Sequence, residues 1–220
     1  MPGREVDLLA NYPKPKRDVV SRAAAKTDEH RAIARQFGKD FFDGDRSVGY
    51  GGFSYHPRFW QPTVPTFREH FGLGPGSSVL DVGCAKGFML HDFQQLIPGL
   101  EVRGIDVSEY AIANAIETIK GFVEVGDARR LPFPDKSFDV VISINTIHNL
   151  DLDDVITALS EIQRVARKGS FVTVDAYRDE EEQKRMMAWN LTAKTILSVD
   201  GWKEVFRKAE YDGDFYWFIP

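Results

Sequence analysis

The sequence predicts an α/β domain of three layers built on a mostly parallel sheet. Three observations carry this expectation. Short apolar runs alternate with amphipathic ones from Ser77 to Tyr177, as strands joined by helical crossovers do. The apolar runs are nearly continuous, so each strand needs helices on both faces of the sheet. The chain has 220 residues, 43% of them apolar and 28% charged, enough for a large core without metal or disulfide staples.

The elements follow in order. Residues 1 to 16 carry Pro2, Pro13 and Pro15 among charges and read as an extended lead-in. A run rich in Ala, Arg and Lys without breakers predicts a helix from Asp18 to about Phe37, stopped by Gly38. Residues 41 to 62, FFDGDRSVGYGGFSYHPRFWQP, have neither helical nor strand period. Two readings stand open there: an aromatic loop packed on the core, or a lid with a sticky inner face. The chain therefore divides into an extension over 1–62 and a principal domain over 63–220.

SSVLDVG is a short β-branched run ending in Gly83, a buried strand. KGFMLHDFQQL is helical and closes at Pro98 and Gly99. EVRGIDV is a second strand, and SEYAIANAIETIK a helix with Ser108 as N-cap. FVEVG and FDVVISIN are the third and fourth strands. DDVITALSEIQRVARK places Val155, Leu159, Ile162, Val165 and Ala166 on one stripe, with Gly169 as its stop. SFVTVDAY is a fifth strand, followed by helices in DEEEQKRMMAWN and VDGWKEVFRKAE, the latter capped by Ser198. DFYWFI closes as an aromatic strand.

Composition narrows the function. A net charge of −5 opposes general nucleic-acid binding, which needs a basic balance. A single cysteine, Cys84, excludes a disulfide framework and a multi-cysteine zinc site. No carboxylate–histidine cluster follows the fourth strand, so no metal site is expected. The opening MPGREVDLLANYPKPKRDVV lacks the apolar stretch of a signal peptide, and no run nears the roughly 18 apolar residues of a membrane span. A cytoplasmic protein is expected.

The chemistry gathers at strand ends. Ligands of open parallel sheets bind beyond the carboxyl ends of the strands. There the first strand runs into Asp81, Gly83, Cys84, Ala85, Lys86 and Gly87, and the small residues admit a ligand close to the backbone. Asp106 ends the next strand, about 20 residues on, where a carboxylate can accept two ribose hydroxyls. Asp127 ends the third and can accept from an amino group such as adenine N6. Each alone could be a turn or capping aspartate; three in succession indicate a nucleoside. The dinucleotide fingerprint is not met, because position 88 is Phe, and no phosphate loop is present, because Lys86 precedes Gly87.

VLDVGCAKGFML, VRGIDVSEYAI, GDARRLPFPDKSFDVVISINTIHNL and ALSEIQRVARKGSFVTVDA resemble, in order and spacing, the successive motifs of class I S-adenosylmethionine-dependent methyltransferases. The resemblance covers roughly residues 77 to 177, with Ala85 standing where the family pattern has glycine. It implies a Rossmann-like methyltransferase sheet of seven strands with a reversed last hairpin. Only one clear strand follows the final helix here. The resemblance further implies S-adenosyl-L-methionine as cofactor. Asp81 would orient its amino group, and Gly83, Cys84, Ala85 and Gly87 would line the methionine moiety. Asp106 would hold the ribose and Val107 would pack on adenine. Asp127 and Ala128 would meet the adenine edge, and Asn145 the sulfonium end.

The acceptor is less legible. An oxygen nucleophile usually needs a base near neutrality, and His148 sits at the end of the fourth strand, with His56 a second candidate. The alternative for His148 is a structural histidine near the next helix. Tyr50, Phe53, Tyr55 and Trp60 are candidates to wall the acceptor from water, and Trp189, Asn190 and Lys194 lie after the fifth strand, where the resemblance implies an acceptor pocket. Arg46 and Arg58 are candidates to hold an anionic group, unless they pair with Asp43 and Asp45. Trp202 and Trp217 read as core, and Cys84 as a packing residue.

The leading function is methyl transfer to a small-molecule acceptor, by O-methylation, such as a sugar, nucleotide-sugar or other anionic metabolite. No nucleic-acid or membrane partner is expected. Three rivals stand: an N-methyltransferase, a nucleotide-dependent oxidoreductase and a non-catalytic cofactor-binding protein.

Overall fold

The computed structural model describes residues 3–13 and 26–220. The N-terminal part holds two short helices, α1 (Asp28–Ala34) and α2 (Lys39–Asp43). Thr27 caps α1, its hydroxyl accepting from His30 N at 3.2 Å. The helix expected over 18–37 is thus present only from Asp28 to Ala34 among the described residues; positions 18–25 lie outside them. Gly38 does not end it but precedes α2 as its N-cap, so the loop expected from residue 41 begins as helix.

The principal domain runs α3 (Val64–Phe71), β1 (Ser78–Val82), α4 (Phe88–Leu96), β2 (Glu101–Asp106), α5 (Glu109–Ala113) and β3 (Val123–Val125). It continues with β4 (Phe138–Ile144), α6 (Leu152–Val165), β5 (Ala166–Tyr177), α7 (Glu180–Trp189), β6 (Leu197–Ser198), α8 (Val199–Lys208) and β7 (Asp214–Phe218). Strand order is β3-β2-β1-β4-β5-β6, with β7 also pairing β5. Every pair of named strands is parallel. The sheet is therefore the expected three-layer α/β one, but no named strand is reversed. β7 runs alongside residues 171–175 of β5, and the two-residue β6 meets only Ala176 and Tyr177. Residues 4–6 line the far edge of β7: Val6 N donates to Phe215 O, and Phe215 N to Arg4 O, both at 3.0 Å. Asp214 secures that edge, accepting from the Arg4 guanidinium and lying 2.6 Å from His70 Nε2.

Two apolar layers sandwich the sheet. One packs Val155, Leu159 and Ile162 of α6 and Trp202 and Phe206 of α8 against β4 and β5. The other packs Val64 and Phe67 of α3, Leu90 and Phe93 of α4 and Leu8 against β1 and β2. Ser108 and Ser198 cap their helices as expected, accepting from Ala111 N and Gly201 N.

Two boundaries differ from the sequence reading. The helix begun at Ser108 stops at Ala113, because Asn114 closes it and Ile116 N turns to Lys86 O at 2.9 Å. α6 ends at Val165 rather than at Gly169, because Ala166 already pairs with Phe138 of β4. Arg167 and Lys168 then reach Asp139 from the strand. Gly169 lies inside β5, opposite Val140. Among the described residues no helix is long and apolar enough to cross a membrane.

Candidate active site

β1 lies between β2 and β4, which run on from it in opposite directions across the sheet. The loops leaving these strands diverge there and leave a crevice. The structure has a cavity of about 1520 Å³ at that point. Its walls include Asp81, Gly83, Cys84, Ala85, Asp106, Val107, Asp127, Ala128, Asn145 and His148.

The turn after β1 is shaped for close approach. Gly83 has φ +88°, and a Cβ there would lie 2.1 Å from Thr146 Oγ1. Gly104 of β2 has the same constraint, since a Cβ would meet Cys84 Sγ at 2.7 Å. Cys84 is thus a packing residue, and burial pushes its thiol pKa up. Ala85 adopts φ +50°, a left-handed conformation costing an alanine roughly 1–2 kcal/mol, which is why glycine is usual there. Asp106 holds this turn: its Oδ2 accepts from Ala85 N and its Oδ1 from Ser108 N, each at 2.8 Å. One lone pair per oxygen stays open for a diol.

Asp81 is 4% exposed and accepts no hydrogen bond from the described residues. Burial, with Asp106 nearby, pushes its pKa up to about 8. A buried carboxyl in that condition calls for a cation. An α-ammonium fits, and Val107, 60% exposed on the cavity wall, supplies an apolar face for a base. No described acceptor takes the Ala128 N–H. These residues fit an adenosyl amino acid.

A pH test follows. A bound ammonium favours ionised Asp81, so binding below about pH 8 must expel a proton. Affinity for S-adenosylhomocysteine is expected to climb from pH 5.5 toward 8 and then level off. Calorimetry in two buffers of different ionisation enthalpy should show proton release in the wild type and none in Asp81→Asn. Proton uptake would remove Asp81 from this role.

Asp127 is more engaged than its sequence position suggests. The Arg129 guanidinium grips both its oxygens, Arg129 N donates to Oδ1 as well, and together they hold its pKa below the usual range, while Arg129 Nη1 also donates to Asp154. Asn145 sits at φ +51°; its N–H bonds Thr173 O and Oγ1, and its Oδ1 accepts from Thr173 Oγ1 at 2.9 Å.

The segment over 41–62 lies against this turn. Lys86, buried at 5% exposure, donates to Asp43 at 2.5 Å and to Phe53 O at 2.8 Å. Tyr110 donates to the other oxygen of Asp43 at 2.9 Å. Asp45 accepts from Ser47 N. Neither carboxylate pairs with Arg46 or Arg58, which line the cavity with Tyr50, His56 and Trp60. Tyr55 does not line it: its hydroxyl donates to buried Asp92 at 2.7 Å and its ring packs on Phe88 and His91. Trp189, Asn190 and Lys194 also line the cavity. Trp202 and Trp217 are buried in the core as expected, though Trp217 also reaches the cavity.

His148 is buried in the short helical turn Ile147–Asn149 that follows β4, and Asp175 N donates to its Nδ1 at 3.0 Å. Burial pushes its pKa down, outweighing the Asp175 carboxylate 3.6 Å away. Sequence reasoning missed Lys86, Arg129 and Asp175. A lysine inside a small-residue turn was the available signal for the first; the others need the folded chain. Among the described residues no histidine, cysteine and carboxylate group is placed to hold a metal.

Comparison with known proteins agrees with this geometry. Residues 80–174 match the family described as "Methyltransferase domain". The sterol 24-C-methyltransferase ERG6B of Gibberella zeae is 30% identical over 187 residues, covering 73% of this chain and 47% of that protein. An O-methyltransferase of Pyrenophora dematioidea is 34% identical over 155 residues, covering 62% and 55%. The chain thus spans about half the length of these curated relatives. Its fold is shared with Haemonchus contortus phosphoethanolamine N-methyltransferase 2, solved with phosphomonomethylethanolamine and S-adenosylhomocysteine. That likeness has a TM-score of 0.57 at 21% identity and covers 80% of this chain and 44% of the other. From the strand-end acids, the turn after β1 and these matches, the chain belongs to the class I S-adenosylmethionine-dependent methyltransferases.

Proposed function

We propose that the protein transfers a methyl group from S-adenosyl-L-methionine to an oxygen of a small, anionic acceptor. The observation that carries the cofactor half is the unpartnered, buried Asp81 beside Asp106 in a crevice walled by Val107. In this reading Asp81 holds the ammonium and Asp106 the ribose hydroxyls. Val107 packs on adenine. The Ala128 N–H meets the base edge, beside Asp127, whose two oxygens Arg129 already occupies. Asn145 lies at the sulfonium end. The cofactor supplies an electrophilic methyl carbon; the protein positions the two reactants and excludes water.

Arg46 and Arg58 support the acceptor half. Both line the cavity, and no described carboxylate pairs with either. Guanidinium groups in that condition suit a carboxylate or phosphate. The relatives methylate carbon or oxygen by their names, and the O-methyltransferase is the one this reading follows. Residues 41–62 serve as the lid over the acceptor, and 63–220 as the cofactor domain.

Calorimetric titration with S-adenosylhomocysteine, with NADH as control, tests the reading. Micromolar binding of the first alone is expected. Binding of NADH alone would replace the methyltransferase with an oxidoreductase. Mass spectrometry of acceptor mixtures incubated with S-adenosylmethionine then separates an enzyme from a cofactor-binding protein, because only the enzyme adds 14 mass units per methyl group, roughly the mass of CH₂.

A further inference from the structure

We propose that His148 acts as a hydrogen-bond donor to an acceptor oxygen that arrives already ionised, so that the acceptor is an organic acid, methylated on its carboxylate. This rests on the methyltransferase reading above and narrows it.

The argument starts from one backbone amide. Asp175 N lies 3.0 Å from His148 Nδ1 and donates to it. That proton is fixed by the strand, so Nδ1 presents its lone pair. A neutral imidazole carries one proton, which must then sit on Nε2. The residue has little room to rearrange. Its carbonyl accepts from Lys194 N and Thr195 N, both at 3.0 Å, and its ring is buried. Nε2 has no hydrogen-bond partner among the described residues and belongs to a side chain that lines the cavity. It offers a donor there.

A general base needs the opposite arrangement. Nε2 would have to present a lone pair, and Nδ1 would carry a proton facing the Asp175 N–H. Two donors would then point at each other. The Asp175 carboxylate does not relieve this, because its Oδ1 stands 3.6 Å from Nδ1, beyond hydrogen-bond range. Two charged pairs on neighbouring elements are engaged with each other, Lys194 with Asp151 at 3.0 Å and Arg178 with Glu182 at 3.4 Å.

A donor in place of a base changes which acceptors can react. An alcohol would keep its proton and attack poorly. A carboxylate has none to lose, and Arg46 and Arg58 on the same cavity favour its charge. The step is then a single displacement. An oxygen lone pair forms the O–CH₃ bond as the C–S⁺ bond breaks, the C–S electrons return to sulfur, and no proton moves.

The test compares matched acids and alcohols as acceptors with S-adenosylmethionine, in wild type, His148→Gln and His148→Leu. Glutamine keeps an N–H donor and cannot act as a base. Methyl esters from the acids are expected. His148→Gln should lose less than about tenfold and His148→Leu about 10²-fold, the scale of a lost hydrogen bond to a charged group. At saturating S-adenosylmethionine, which removes the Asp81 dependence of binding, the rate should follow the ionisation of the acceptor, with no limb from an enzyme imidazole. S-adenosylhomocysteine affinity and melting temperature check that both variants are folded. Ether formation from alcohols, with Gln and Leu equally slowed by about 10²–10⁴-fold, would overturn the proposal and make His148 a base. Cofactor binding without a product from any acid overturns the acceptor class alone. Failure of S-adenosylhomocysteine to bind the wild type overturns the methyltransferase reading itself.

Discussion

Asp106→Ala is expected to weaken S-adenosylhomocysteine binding by about 10²–10³-fold, from the loss of hydrogen bonds to a charged group and the loosening of the turn. The carboxylate has two tasks. It accepts from Ala85 N and Ser108 N at 2.8 Å each, and in the proposed function it takes the ribose hydroxyls. Alanine leaves both amides without their acceptor. Ala85 then loses the bond that holds it at φ +50°, so the methionine-facing wall relaxes as well. Asp106→Asn separates the two tasks. An amide has one accepting oxygen, so one backbone donor stays satisfied while the other meets an NH₂ group. An intermediate loss is expected for Asn. Unchanged affinity in the alanine variant, measured by calorimetry, would remove Asp106 from the site.

The largest effect on stability is expected at Trp202. Its side chain is fully buried, stacks with Phe206 at 5.9 Å, and donates from Nε1 to Asp175 O at 2.8 Å. Trp202→Ala should cost about 3–5 kcal/mol, the range for deleting a buried aromatic, and leaves a buried carbonyl without its donor. Urea unfolding at constant m-value measures this. A loss below about 1 kcal/mol would mean that the core closes over the gap. The milder Trp202→Phe bears on the site too. Asp175 is the residue whose N–H fixes His148, so releasing its carbonyl loosens the strand end that orients the imidazole.

The strands and the three acids were legible because their signals are local. A β-branched run followed by a small-residue turn describes β1 whatever surrounds it. The cap at Ser108 was equally local, but the length of its helix was not. AIANAIETIK favours a helix by propensity, yet Ile116 N is taken by Lys86 O, thirty residues earlier in the chain. The start of β5 was hidden for a similar reason: Arg167 and Lys168 look helical until Asp139 lies beside them. The absence of a reversed named strand could be suspected from the single strand after α8, but the parallel course of β7 could not. At the site, sequence placed His148 near the end of β4 and could not give its tautomer, which depends on an amide in β5. It offered Asp43 and Asp45 as partners for Arg46 and Arg58. The structure gives them to Lys86, Tyr110 and Ser47 instead.

The strip formed by residues 4–6 along β7 has a consequence for how the chain folds. It joins positions 210 apart in sequence, through Arg4 and Asp214. Contacts of that span return nothing until the intervening chain is already compact, because the entropy of closing so long a loop comes first. The strip is therefore added to a nearly finished sheet and is among the first contacts to be lost when the sheet breathes. Until it docks, β7 presents a bare, aromatic-rich edge to its surroundings, and such an edge is a template for pairing between chains. The final closure of this fold and its protection from self-association are one event.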